Sequence, residues 1–124
     1  MKVIIEEPRS KFWSQKANNN MVKGIIGSRY PITEIVVRDV FNRKTVTLAE
    51  IYGTTTRIPI KKFPEEKEKY GKEASLNQTY EMTRYADALI AIWDGERQDI
   101  KETIKFMNRL DKPVFLYLID KEEE

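Results

Sequence analysis

The sequence predicts a small α/β domain with a mostly parallel sheet and flanking helices. Three observations lead there. Ala88–Trp93 and Val114–Leu118 are continuously apolar, as strands covered on both faces are. Between them, Ile100, Ile104, Met107 and Leu110 recur at helical spacing. Two buried strands joined by a helix make a crossover that pairs them in parallel. With 124 residues there is room for one core rather than two.

The elements follow in order. Lys2–Glu6 reads as a short strand. Pro8 through Asn20 reads as a loop or arm whose Phe12 and Trp13 are expected to pack on the domain or on a partner. Val22–Ile26 reads as a second strand closing on Gly27-Ser28-Arg29, and Ile32–Val37 as a third. Residues 38–56 admit two readings. A turn at Asn42-Arg43-Lys44 between β-branched segments makes a hairpin. Alternatively, Lys44–Tyr52 is a helix ended by Gly53. The run Thr45-Val46-Thr47 favours the hairpin. Thr54–Ile60 then reads as a strand, and Lys61–Lys72, with Pro64 and Gly71, as a charged surface loop with one helical turn.

Ser75-Leu76-Asn77-Gln78 has the form of a capping box opening a helix. Leu76, Tyr80, Thr83 and Ala86 or Asp87 continue it at helical spacing. Asp94-Gly95 breaks the strand Ala88–Trp93, and Asp99 through Glu102 reads as a second capping box. Asp111-Lys112-Pro113 ends that helix. The expected organisation is a strand and arm over 1–20, an α/β domain over 21–120, and a frayed acidic tail over 121–124.

Composition limits the chemistry. There is no Cys, which excludes disulfides and thiolate metal sites, and no His, which removes the usual general base and the commonest zinc ligand. No metal and no cofactor are expected. The apolar runs are strand-sized, far short of the roughly 20 residues of a membrane span. The start turns acidic at Glu6-Glu7, too soon for a secretory signal, so a cytoplasmic protein is expected. Residues 1–62 hold 12 Lys/Arg against 5 Asp/Glu, whereas residues 63–124 hold 10 against 15. The basic half suits an anion or the acidic half of a neighbouring subunit, and a homo-oligomer, dimer or higher, is expected. No helix gathers Lys and Arg on one face, so nucleic acid is not an expected partner.

Tyr85-Ala86-Asp87-Ala88-Leu89-Ile90-Ala91-Ile92-Trp93-Asp94-Gly95, Lys112-Pro113-Val114, Gly27-Ser28-Arg29, and Pro64 with Tyr70-Gly71-Lys72 together resemble the SLOG superfamily. The likeness is to its small YspA-like branch, the domain-of-unknown-function 2493 type. It implies a Rossmann-like fold related to the Lonely Guy nucleotide phosphoribohydrolases, and a nucleotide-like ligand. The sequence departs from the family at its phosphate loop. Where members carry Ser-x-Gly-Thr, this chain has Glu96-Arg97-Gln98-Asp99-Ile100. A helix N-terminus attracts anions. Here Asp99, Glu96 and Glu102 would repel one, with Arg97 offsetting part of that charge.

The candidate ligand-binding residues are Gly27, Ser28, Arg29, Asn77, Trp93, Asp94, Gly95 and Arg97. Ligands bind at the carboxyl ends of strands in open α/β sheets. A Gly there allows close approach, Ser offers a hydroxyl, and Arg can grip a phosphate. Asp94 could accept from a ribose hydroxyl and Trp93 could stack on a base. Asn77 is placed by the resemblance alone. The expected function is binding of a nucleotide or nucleotide-derived ligand by a sensor or sequestering protein. Enzymatic activity is not the favoured reading: no Gly-Gly-x-Gly-Thr loop is present, so the Lonely Guy catalytic residues cannot be carried over. The enzymatic alternative is an N-glycosidic-bond hydrolase or deoxyribosyltransferase-like protein, with Asp99 and Glu102 or Glu81 as the only candidates. A further alternative is a non-catalytic assembly protein.

Overall fold

Five short strands pair side by side, all parallel, in the computed structural model, which describes residues 1–7, 15–39 and 47–119. They are β1 (Lys2–Glu6), β2 (Glu34–Asp39), β3 (Ile60–Pro64), β4 (Ala88–Trp93) and β5 (Val114–Leu118). The helices are α1 (Gln15–Ser28), α2 (Leu48–Thr56), the single turn α3 (Lys67–Tyr70), α4 (Ala74–Tyr85) and α5 (Gln98–Arg109). A 3-10 turn, Gly71–Glu73, joins α3 to α4.

The strand order is β3-β2-β1-β4-β5, a doubly wound, Rossmann-like sheet. Val3 pairs with Ile35 on one side and with Ala88 on the other. Alternate residues of the central strands supply two apolar layers. Val3, Ile5, Ile35, Val37, Ile90 and Ile92 meet Met21 and Ile25 of α1 and Ala49 of α2. Ile4, Val36, Leu89 and Ala91 meet Met82 of α4, Ala86 just after it, and Ile100 and Met107 of α5. Burial on both faces is why β4 is apolar throughout.

Several expectations are corrected. Val22–Ile26 is the last part of α1, not a strand. Its buried residues, Met21, Gly24 and Ile25, keep a helical period, and its apolar run is too short to distinguish from a strand by pattern. Leu48–Thr56 is helical rather than part of a hairpin, and Thr54–Thr56 is its last turn rather than a strand. Thr47 accepts from the Glu50 amide while the Glu50 carboxylate accepts from the Thr47 amide, a capping box that starts the helix. The proposed hairpin turn, Asn42-Arg43-Lys44, lies outside the described residues, as do Phe12, Trp13 and the tail. Lys61–Pro64 belongs to β3 rather than to a loop.

The two expected capping boxes at α4 and α5 do not form. α4 begins at Ala74, and neither N-cap, Glu73 or Arg97, makes a side-chain cap. Gln78 is instead drawn under the sheet. Asp99 sits inside the first turn of α5, where its carboxylate accepts from the Ile100 amide.

Candidate functional site

The winding direction of the sheet reverses between β1 and β4. A crevice opens at such a reversal, outside the carboxyl ends of the strands. At this edge lie Glu6, the last residue of β1, with Glu7 after it, Asp39, the last residue of β2, and Trp93, the last residue of β4, with Asp94 through Asp99 after it.

Beneath the crevice lies a buried polar network. Glu6 is 4% exposed and Arg38 9%. The Arg38 Nε donates to Glu6 Oε2 at 2.9 Å, and its Nη2 lies 2.9 Å from the same oxygen. Arg38 also donates to Thr79 Oγ1 at 2.6 Å, Thr103 Oγ1 at 2.7 Å and Gln78 Oε1 at 3.1 Å. Thr103 in turn donates to Glu6 at 2.6 Å. Gln78 completes the set by donating to the Phe63 carbonyl at 2.6 Å and the Asp39 carbonyl at 3.2 Å. A buried charge needs such partners, because desolvation is otherwise prohibitive. The network ties β1, β2, β3, α4 and α5 together at the crevice floor.

The turn after β4 forms the crevice rim. Asp94 Oδ1 accepts from the amides of Glu96 at 2.8 Å and Arg97 at 3.2 Å. These bonds, that from Glu96 foremost, hold the Asp94 carboxyl below its ordinary pKa, so it is ionised and an acceptor. Gly95 sits at φ +88°, a conformation that favours glycine. Trp93 donates its ring N–H to the Arg97 carbonyl at 3.1 Å. Arg97 reaches across the reversal: its Nη1 donates to the Glu7 carbonyl at 2.5 Å, and its guanidinium pairs with Asp99. Glu7 caps α2, accepting from the Leu48 amide at 2.9 Å.

Trp93, Asp94, Gly95 and Arg97 are therefore brought together at the crevice. Gly27, Ser28 and Arg29 are not. They end α1, which runs back to the amino edge of the sheet. There the Met1 ammonium donates to the Pro31 carbonyl at 2.7 Å, and Thr33 N–H donates to the Met1 carbonyl at 2.8 Å. The triplet has local work at that edge. A Cβ on Gly27 would lie 3.1 Å from the Phe115 ring. Ser28 donates to the Ile25 carbonyl at 2.7 Å and accepts from the Tyr30 amide at 3.2 Å. Arg29 has left-handed backbone, φ 58°, as residues after a helix end often do.

Asn77 lies apart as well. Its side chain donates to Glu81 Oε1 at 3.3 Å and lines an outer groove of about 360 Å³ with Tyr70, Glu73, Leu76, Tyr80 and Phe106. Sequence reading passed over Glu6, Arg38, Gln78, Thr79 and Thr103. One signal was available: Glu6 and Arg38 are charged residues that directly continue the apolar runs Val3–Ile5 and Ile35–Val37.

Among the described residues no group of three or more Asp or Glu side chains is set to hold a metal ion. No helix among them is long and apolar enough to cross a membrane. Compared with protein-family models, with curated proteins and with solved structures, the chain matches none of them.

Proposed function

We propose that this protein binds a nucleotide or nucleotide-derived ligand in the crevice between β1 and β4, as a sensor or sequestering protein that does not turn it over. The observation that carries the reading is the reversal of winding between these strands, the place where doubly wound sheets take ligands. The side chains there favour hydroxyl donors over phosphate. Asp39 is exposed at the end of β2, and Asp94 is an ionised acceptor at the end of β4. Arg97 is committed to Asp99 and the Glu7 carbonyl, and the first turn of α5 already carries the Asp99 carboxylate. A nucleoside-like moiety, held through ribose hydroxyls, suits that lining better than a free phosphate.

A thermal-shift screen against nucleosides, mono-, di- and cyclic nucleotides and dinucleotide metabolites tests this. A ligand at about 100 times its Kd adds roughly 2.7 kcal/mol of stability, several degrees for a domain of this size. The shift is expected to vanish in Asp94→Asn and to persist in Arg29→Ala, at the opposite edge. A flat screen on folded protein, or a hit abolished by Arg29→Ala alone, overturns the proposal. Release of free base from a hit would replace binding with N-glycosidic cleavage.

A further inference from the structure

The two outer strands of the sheet are finished differently. β3 carries exposed Lys61 and Lys62 and ends at Pro64. Lys and Pro on an edge strand are devices that discourage pairing with another chain. β5 is Val114-Phe115-Leu116-Tyr117-Leu118, without a charge, a proline or a glycine. Leu116 is 43% exposed and Leu118 65%. An all-parallel sheet is normally covered on both faces, yet these two side chains stay open to solvent.

The backbone of β5 is also unpaired on its outer side among the described residues. Leu89 N–H donates to the Pro113 carbonyl at 3.0 Å, and Ile119 N–H to the Trp93 carbonyl at 2.9 Å. The odd-numbered residues of β5 thus face β4. By the alternation of a β-ladder, the N–H and C=O groups of Val114, Leu116 and Leu118 point outward.

We propose that β5 pairs antiparallel with β5 of a second copy about a two-fold axis at Leu116, joining the two sheets into one. That axis sets Leu116 opposite Leu116 and Val114 opposite Leu118, so every outward amide and carbonyl of one strand meets its complement on the other. The same register brings Leu118 onto Val114 on the α5 face and Phe115 onto Tyr117 on the α1 face. A strand that complements itself residue for residue favours its own copy over an unrelated strand. The area is sufficient. The flank is about 20 Å long, the length of the 14-residue α1, and about 30 Å deep through sheet and helix layers. That is about 600 Å² per copy, or about 1,200 Å² for the pair, above the roughly 1,000 Å² in total that a specific interface needs.

Since the natural chain has no Cys, a single Leu116→Cys is a clean probe. Facing residues in an antiparallel pair sit about 5.5 Å apart at Cα, within disulfide range. Mild oxidation of the full-length variant is expected to give a covalent dimer. Ile26→Cys, 68% exposed on α1, is expected not to cross-link. In sedimentation velocity the unmodified chain is expected to be dimeric, and Leu118→Lys to weaken dimerisation by about tenfold or more. Hydrogen exchange on the unmodified chain adds a readout that needs no variant: the Leu116 and Leu118 amides should gain protection with protein concentration. A monomer at all concentrations, equal cross-linking at Ile26→Cys, or a dimer indifferent to Leu118→Lys overturns the proposal.

Discussion

The β3 and β5 flanks close one sheet in opposite ways. On the β3 side the chain uses charge. Arg38 and Glu6 are buried in β2 and β1, and Lys62 at the edge pairs with Glu50 of α2 at 2.7 Å. On the β5 side it uses hydrocarbon, from Ala88–Trp93 through Val114–Leu118. A flank finished with Lys, Pro and ion pairs has its partners within its own chain. A flank left apolar, with open backbone groups, is a ready template for pairing with another chain. The difference teaches that one edge of the sheet is guarded against pairing and the other is not.

The largest way to break this comparison is Arg38→Ala. It strands the Glu6 carboxylate in the interior and should reduce unfolding free energy by about 3–5 kcal/mol. Urea unfolding measures it. Replacing both partners, Glu6→Leu with Arg38→Met, should recover most of the loss, because no unpaired charge remains. A double variant as unstable as the single would mean that the network is needed for packing, not for charge.

Lys112 gives a smaller effect on the β5 side. Its ammonium is drawn down against the end of α4, donating to the carbonyls of Thr83, Arg84 and Ala86 at 2.8, 3.0 and 2.7 Å. It ties that end of α4 down with a cation, as the β3 side does with an ion pair. Lys112→Met should cost about 1–3 kcal/mol, the range for losing hydrogen bonds from a charged group, here two of them to partly buried carbonyls. An unchanged urea midpoint would show that water replaces the ammonium at no loss.

The smallest effect is the Glu50–Lys62 pair, and it sharpens the comparison through pH. Burial alone would raise the Glu50 pKa. The hydrogen bonds from Lys62 and Thr47 outweigh it and hold the carboxyl below its ordinary value. The unfolded state therefore binds the proton more tightly. The stabilisation is present above the ordinary Glu range and is lost as pH falls through the folded value. For Lys62 the sign is reversed: its bond to Glu50 raises its pKa, so its part is present below the ordinary Lys range and lost as pH rises through the folded value. Lys62 is half exposed, which limits the pair to under about 1 kcal/mol. Lys62→Met should shallow the acid limb of the stability curve. An unaltered limb would assign the shift to Thr47.

What could be read in the sequence was whatever depends on a local period. β4, α5 and β5 have continuous apolar runs and a helical stripe. Burial on both faces and contact with the sheet impose those patterns directly. β3 was missed because an edge strand is charged by design. α1 was misread because Asn18-Asn19-Asn20 and two glycines are poor helix formers, and packing against β4 and β5 overrides that propensity. The T-x-x-E capping box at Thr47 stands in the sequence but was passed over, because Thr45-Val46-Thr47 reads as strand material.

By itself the sequence determined the α/β class, the parallel β4–α5–β5 unit and the turn at Asp94-Gly95, because neighbours in sequence settle each of these. Only the tertiary structure decided the strand order, and with it which ends of which strands share the crevice. It sent Gly27-Ser28-Arg29 to the far edge, because a helix following β1 must run back antiparallel to the strands. It also joined Glu6 to Arg38 and to Thr103, 97 residues away. Contacts at such separation are fixed by chain topology, which no local pattern records.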